Sequence, residues 1–132
     1  MRPYIKHILF LLLLAVPMLS NATEQSVKQI CSSITAGNVD GLETLFDSQV
    51  EISILGESVV CAREYALERI ADFVGSNPSS ACKVSHHGKR ENSSFCIITI
   101  KSSGRSYRLY ALFRAVSNKQ LIQQFRIDDV TE

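Results

Sequence analysis

The sequence lacks any marked excess of charge of one sign. Its 132 residues carry 14 Lys and Arg against 13 Asp and Glu, so we expect no basic surface that could hold a nucleic-acid backbone. Apolar residues make up 45% and charged residues 20% of the chain, which excludes a disordered tail and a collagen-like repeat. The length indicates one domain, since domains usually have ~100–200 residues.

Several signatures of catalysis and cofactor binding are also missing. The sequence contains no Gly-x-Ser-x-Gly turn and no glycine-rich phosphate loop. Its cysteines show no Cys-x-x-Cys spacing, which disfavours a zinc ribbon or a thioredoxin-type site. His86 and His87 are neighbours on a predicted strand, so their rings point to opposite faces, one against the core and one in solvent. We expect no metal, no cofactor and a non-catalytic protein.

The first 22 residues have the order of a secretory signal peptide. Arg2 and Lys6 belong to a basic head, Ile8–Val16 is an apolar run, and small residues lead to Ala22. The apolar run has about nine residues, whereas a membrane-spanning helix needs ~20. We therefore expect cleavage near Ala22, export to the periplasm or the medium, and no membrane contact afterwards. Residues 23–132 would then form a single domain.

Helical spacing precedes strand alternation in the remaining chain. Val27, Ile30 and Ile34 recur at helical spacing, and Gly37 stands where a helix ends. Strands dominate after residue 80, where polar turns separate alternating segments. The predicted elements are a helix ending at Gly37, a short helix after Asn38, strands at 50–54 and 58–60, a helix at 62–74, and strands at 82–90, 94–101, 105–116 and 120–130. Helices followed by an antiparallel meander predict an α+β fold.

The last two strands allow a register to be predicted. A turn centred on Asn118 gives one apolar face for the helices and one outer face with a cross-strand ion pair, which is the agreement that a correct register should show. The inner pairs are Leu109–Ile127, Ala111–Phe125 and Phe113–Gln123, and the outer pairs are Arg108–Asp128, Tyr110–Arg126 and Leu112–Gln124.

Five segments carry a resemblance to a known family: Ile34-Thr35-Ala36-Gly37-Asn38, Leu45-Phe46, Val50–Ile54, Ser106–Tyr110 and Leu121–Ile127. The chain from residue 25 to 128 resembles small exported bacterial proteins of unknown function with the nuclear transport factor two-like fold, also called the cystatin-like or ketosteroid-isomerase-like fold. The resemblance implies a curved antiparallel sheet wrapped around a long helix, with N-terminal helices packed on it. It implies no particular activity.

The same resemblance indicates where a site would lie, in the cone-shaped space between the curved sheet and the helices. Enzymes of the superfamily place an acid or base, usually Asp, and a donating Tyr there, but no Asp of this chain falls on a predicted inward strand position. Tyr107 and Gln123 do share the inward face with Phe113 and Phe125, so these four residues are the pocket candidates for a small apolar ligand. The hypothesis requires that the aromatic side chains leave the cone open.

Three functions follow from these observations. The first is a binding domain for a small apolar ligand or a protein partner, with self-association as a homodimer through an outer face around Tyr110, Leu112 and Ile122. An isomerase or hydratase is the second, and it requires an ionisable side chain in the cone. The third is a cystatin-like peptide-binding protein, for which the Glu91–Ser94 turn is the candidate loop.

The four cysteines permit two disulfides with three pairings. Cys82 and Cys96 are offset by about seven residues on neighbouring strands, or ~23 Å, which is too far for a bridge. Cys61 and Cys82 flank a predicted helix of roughly 20 Å. Because Cys31 lies on an apolar stripe, buried thiols are favoured over two bridges, and the pairing stays open.

Overall fold

The computed structural model describes residues 21–131. The predicted signal peptide lies outside them except for Asn21 and Ala22, with which the first helix begins. The elements are α1 (Asn21–Ala36), a 3₁₀ helix η1 (Val39–Leu45), β1 (Phe46–Ile54), β2 (Glu57–Ala62), α2 (Arg63–Ser76), β3 (Ala81–Arg90), β4 (Ser93–Ser102), β5 (Arg105–Val116) and β6 (Lys119–Asp129).

Local sequence explains where the first helices end and begin. Gly37 has φ +71°, a left-handed conformation that suits glycine at the end of α1. The Asn38 side chain accepts a hydrogen bond from the Asp40 backbone amide, at 3.1 Å, and so caps η1. A Cβ at Gly41 would lie 2.7 Å from Ser33 Oγ, so a side chain there would displace the Ser33 hydroxyl where η1 approaches α1.

The six strands form one sheet in the order β2-β1-β6-β5-β4-β3. The last four strands pair antiparallel with their neighbours in sequence, as predicted. β1 lies beside β6 in parallel orientation, so the sheet is mixed rather than wholly antiparallel. The predicted α+β class is confirmed, with helices packed on one face of the sheet.

Apolar side chains from both layers meet in one core. Phe46 packs on Phe125 with ring centroids 5.5 Å apart, and Phe73 meets Tyr107 edge to face at 5.1 Å. Fully buried residues alternate along β4 and β5, as expected for strands with one face against helices. No helix among residues 21–131 combines the length and the apolar character that crossing a membrane requires.

A disulfide joins Cys31 of α1 to Cys82 of β3, with the two Cα atoms 5.7 Å apart. Cys61 and Cys96 are free thiols, Cys61 half-buried and Cys96 buried. The expectation of buried thiols is therefore met by Cys96 alone, since Cys61 is half-buried and Cys31 and Cys82 form one bridge. The sequence did not predict this disulfide, because it connects a helix to a strand that is distant in sequence.

Candidate functional site

Four half-buried side chains form an apolar cluster on the face of the sheet opposite the helices. We call this cluster the outer patch: Phe95 and Ile97 on β4, and Tyr110 and Leu112 on β5. Phe95 lies opposite Leu112, and Ile97 lies opposite Tyr110 in the ladder between the strands. The Phe95 and Tyr110 rings stack diagonally, with centroids 6.1 Å apart and planes 27° from parallel.

A glycine on the neighbouring strand supports the outer patch. Gly88 of β3 lies opposite Phe95, and a Cβ there would come within 2.4 Å of the Phe95 ring. The ring therefore lies directly over the backbone of β3, and a side chain at position 88 would displace it. This packing holds Phe95 flat against the sheet and leaves a broad, shallow apolar surface.

Charged residues surround the outer patch. Arg108 and Arg114 are exposed on β5, one beyond each end of the Tyr110–Leu112 pair. Arg126 of β6 contacts Asp128 at 2.9 Å on its own strand. The predicted ion pair between Arg108 and Asp128 is therefore replaced by this contact, although the two residues do lie opposite each other. The rim of the outer patch is thus mainly basic.

The four pocket candidates do not share one site. The Tyr107 hydroxyl donates to Asn77 Oδ1 at 3.0 Å, next to the end of α2. Phe113 and Phe125 have no exposed surface. Gln123 lies between the partners of Leu112 and Phe113, five to six residues along β5 from Tyr107, or roughly 18 Å at ~3.3 Å per residue. Phe46, Phe73, Phe113 and Phe125 all belong to the buried core cluster between the sheet and the helices.

Gln123 instead borders a groove at the end of the sheet, where two ladders are interrupted. The β5–β6 register shifts between Leu112 and Phe113, and the β1–β6 register shifts between Phe46 and Glu51. Gln123 donates to Asp47 Oδ2 at 3.0 Å. The groove has a volume of about 380 Å³ and a mixed polar and apolar lining, to which Glu51, Val60, Leu112 and Arg114 also contribute.

The shift in the β5–β6 ladder corrects one residue of the predicted self-association face. Phe113 pairs with Ile122 rather than with Gln123. Ile122 therefore points inward and is completely buried. Tyr110 and Leu112 do lie on the outer face, as predicted.

A bulge in β3 also moves the two histidines. The β3–β4 register shifts between Val84 and His86, which places His86 opposite Ile97 on the outer face. His87 lies opposite Cys96, and both imidazoles are exposed. His87 therefore lies on the inner face of the sheet, but it is exposed there, so the expectation that one ring lies against the core is wrong. Within residues 21–131, no group of three His, Cys, Asp or Glu side chains is placed to hold a metal ion.

The interior of the described chain contains few ionisable groups. Its buried residues include Tyr107 and Cys96 but no carboxylate and no imidazole. Burial raises the pKa of the Cys96 thiol to about 11. Desolvation also raises the pKa of Cys61, against the opposing effect of Arg69. Both free cysteines are therefore weak nucleophiles in the folded protein.

The Glu91–Ser94 turn borders a shallow depression of about 580 Å³ that Arg90 and Arg114 also line. The Asn92 carbonyl accepts a hydrogen bond from the Ala115 amide at 2.9 Å, so β5 holds the turn in place. Ser94 itself is buried. The turn is thus a tight connection close to the sheet, with Glu91 and Asn92 as its exposed residues.

Asp129 provides a prediction for the pH dependence of stability. Hydrogen bonds from Thr131 and from Arg105 lower the pKa of this exposed carboxyl from 3.8 to about 2. A carboxyl with a lowered folded pKa stabilises the fold above its unfolded pKa, and this contribution is lost as the pH falls toward 2. A carbon-detected NMR titration is expected to give a midpoint of about 2, which Arg105→Gln moves toward 3.8. An unchanged midpoint in this variant would show that Arg105 has no part in the shift.

The sequence argument found Tyr110 and Leu112 but missed Phe95 and Ile97. A signal for them was present, because Phe95-Cys96-Ile97-Ile98 is apolar at every position. When both faces of a strand are apolar, either other elements of the fold cover both faces or the uncovered face binds a partner.

The arrangement of helices and strands is that of the nuclear transport factor two-like fold. A protein of unknown function with this fold from Silicibacter pomeroyi superposes with a TM-score of 0.66 at 12% identity, over 86% of this chain and 98% of that one. The family model DUF4783, a domain of unknown function, matches residues 27–128. The chain belongs to this family.

Solved members of the family are similar along almost their whole length. A DUF4783 protein from Bacteroides fragilis is 35% identical with a TM-score of 0.71, over 76% of this chain and 95% of that one. One from Bacteroides ovatus is 28% identical with a TM-score of 0.73, over 78% and 94%. No curated protein matches the sequence.

Proposed function

We propose that this chain is an exported, non-catalytic domain that binds a protein partner through the outer patch. The observation that carries the proposal is the cluster of Phe95, Ile97, Tyr110 and Leu112 on the sheet face opposite the helices. Aromatic and aliphatic side chains grouped in this way are characteristic of the centres of protein interfaces. The basic rim around them favours a partner whose contact surface is apolar at its centre and acidic at its edge.

A protein fits the outer patch better than a small molecule does. Small ligands bind in concave pockets that enclose most of their surface, whereas the outer patch lies on a broad sheet surface. Phe113 and Phe125 are fully buried in the core, which disfavours an apolar ligand inside the cone. The small-ligand hypothesis is therefore the second candidate.

Two further observations support export. The basic, apolar and small segments of residues 1–22 have the order of a signal peptide. The Cys31–Cys82 disulfide is the kind of bond that persists in the periplasm or the medium and is rare in the reducing cytosol.

Site-specific photo-crosslinking in the native host tests the partner. A photoreactive phenylalanine analogue at Leu112 is expected to yield one crosslinked protein product, and the same probe at exposed Glu68 on α2 is expected to yield none. Tyr110→Lys should abolish the Leu112 product while leaving the fold intact, because Tyr110 is only half-buried. Equal products at Leu112 and Glu68 would contradict the proposal.

Native mass spectrometry of the protein released from its host without denaturation tests the second candidate. A retained small molecule, together with no crosslinked product at Leu112, would replace partner binding by ligand binding. A mass without added ligand agrees with the outer patch as the binding site.

A further inference from the structure

Three polar residues form a row across one end of the outer face of the sheet, and we call them the arginine row: Arg90 of β3, Ser93 of β4 and Arg114 of β5. Arg90 lies opposite Ser93, and Ser93 lies opposite Arg114. Directly opposite residues of neighbouring strands point to the same face of a sheet. Two guanidinium groups and the hydroxyl between them therefore project on the side of the outer patch.

The backbone of the arginine row is held in place. Arg90 and Ser93 flank the Glu91–Asn92 turn, which β5 fastens through the hydrogen bond from the Ala115 amide to the Asn92 carbonyl. Neighbouring strands lie ~4.8 Å apart, so the Cα atoms of the two arginines, two strands from each other, are separated by ~10 Å. The two side chains close this span from opposite sides, since both line one shallow depression together with Ser93.

The positive charges of the arginine row have no direct counter-charge within residues 21–131. Four other arginines form ion pairs there: Arg63, Arg69, Arg105 and Arg126. Arg90 and Arg114 belong to none of these pairs. Like charges on one face of a sheet repel each other, so the row keeps two cations together at a cost that a bound anion would remove.

The carboxylates near the arginine row do not neutralise it. Glu91 borders the same depression, but it is exposed and takes part in none of the ion pairs of residues 21–131. Arg114 also borders the groove that contains Asp47 and Glu51. Those two carboxylates accept hydrogen bonds from glutamine side chains of β6, at 3.0 and 3.2 Å.

Two guanidinium groups on either side of a hydroxyl match the chemistry of a phosphate group. A carboxylate has one charge and pairs its two oxygens with one arginine. A phosphate group has a charge of about −1.5 to −2 and at least three strong acceptor oxygens, so two arginines can each donate to oxygens of their own. The depression is too shallow to enclose a small molecule, and charge is therefore the basis of recognition.

We propose that the arginine row binds a phosphate group, either as the free ion or as a monoester of a larger molecule. Arg90 and Arg114 donate to its oxygens from two sides, and the Ser93 hydroxyl donates between them. The site adjoins the outer patch, because Leu112 is two residues from Arg114 on the same strand. It requires no protein partner, so the proposal goes beyond the function proposed above.

NMR titration of the purified, oxidised full chain with inorganic phosphate tests the site. At neutral pH and constant ionic strength, phosphate is expected to give saturable shifts of the Ser93 and Arg114 backbone amides, whereas acetate gives none that saturate. Arg90→Gln and Arg114→Gln should each weaken phosphate binding at least about tenfold, because each removes charge-assisted hydrogen bonds. Arg108→Gln is the matched control, since Arg108 is an exposed arginine at the other end of the outer patch, and it should bind phosphate like the wild type.

Methyl phosphate, a monoester with three free oxygens, distinguishes the two sources of the phosphate group. Binding at least as strong as that of inorganic phosphate supports the site and indicates an ester as its ligand. Binding of inorganic phosphate alone supports the site and indicates the free ion.

Three results would overturn the proposal: phosphate shifts that do not saturate, equal binding of acetate and phosphate, or an equal loss of binding in Arg90→Gln and Arg108→Gln. Variant spectra that overlay on the wild type away from the row show that the variants are folded. Tyr110→Lys should lose the crosslinked product at Leu112 and keep the saturable phosphate shifts, whereas Arg90→Gln should do the reverse. The two proposals can therefore fail independently.

Discussion

Replacing both Cys31 and Cys82 by Ser is expected to lower the free energy of unfolding by about 4 kcal/mol. The bridge spans 51 residues of sequence, and a crosslink that closes a loop of this length removes much of the conformational entropy of the unfolded chain. The bridge also fastens α1 to the edge strand β3. Its loss should release α1 from that strand before the sheet unfolds.

Urea unfolding followed by circular dichroism measures the difference between the wild type and the double variant. Cys61→Ser is the control, because it also removes a half-buried sulfur but breaks no bridge, and it is expected to change stability little. Wild type treated with a reductant should unfold at the same urea concentration as the double variant. A wild-type midpoint that reductant does not change would contradict the bridge.

Ile122→Ala is expected to destabilise the protein by about 2–5 kcal/mol, the usual cost of removing a large aliphatic side chain from a core. Leu121→Ala is the matched control, because it removes a side chain of the same size from the neighbouring residue. That substitution is expected to cost much less, since Leu121 is only half-buried. The two expected losses of stability differ because the register shift between β5 and β6 turns the Ile122 side chain into the core.

Equilibrium denaturation of the two single variants, in parallel with the wild type, gives the two energies. An equal loss in both variants, or a larger loss in Leu121→Ala, would mean that β6 runs without the register shift. In that case Ile122 would face outward with Tyr110 and Leu112, as the sequence alone predicted.

The hairpin of β5 and β6 shows how far sequence patterning determines register. Away from the turn, the predicted pairs Leu109–Ile127 and Ala111–Phe125 are confirmed, because this register brings these four apolar residues together on the inner face. Near the turn, the prediction is wrong by one residue. Ser117 and Asn118 both have positive φ, as in a two-residue hairpin turn.

This turn and the apolar pattern demand registers that differ by one residue. The turn pairs Val116 with Lys119, whereas the alternation further along the strands requires a pairing displaced by one position. The extra residue at Gln123 resolves the conflict. A prediction that assumes one constant register along the whole hairpin cannot include an unpaired residue such as Gln123.

The candidate site could be predicted only in part for the same reason. Alternation placed Tyr110 and Leu112 on the outer face, but it also placed Ile122 there, which the register shift between β5 and β6 turns inward. The parallel contact between β1 and β6 and the bridge from Cys31 to Cys82 depend on how distant elements pack. Periodicity within a segment carries no information about either.

The position of Cys61 between the two bridged cysteines has a consequence for biosynthesis. A chain that emerges N-terminus first presents Cys61 to Cys31 about twenty residues before Cys82 follows, a delay of about one to four seconds at ~5–20 residues per second. In an oxidising compartment the first bond available to Cys31 is therefore a non-native one. A Cys31–Cys61 bond formed at that stage has to be undone by thiol–disulfide exchange before α1 can join β3. The rate of correct oxidation is thus expected to depend on Cys61, a residue that has no place in the finished bridge.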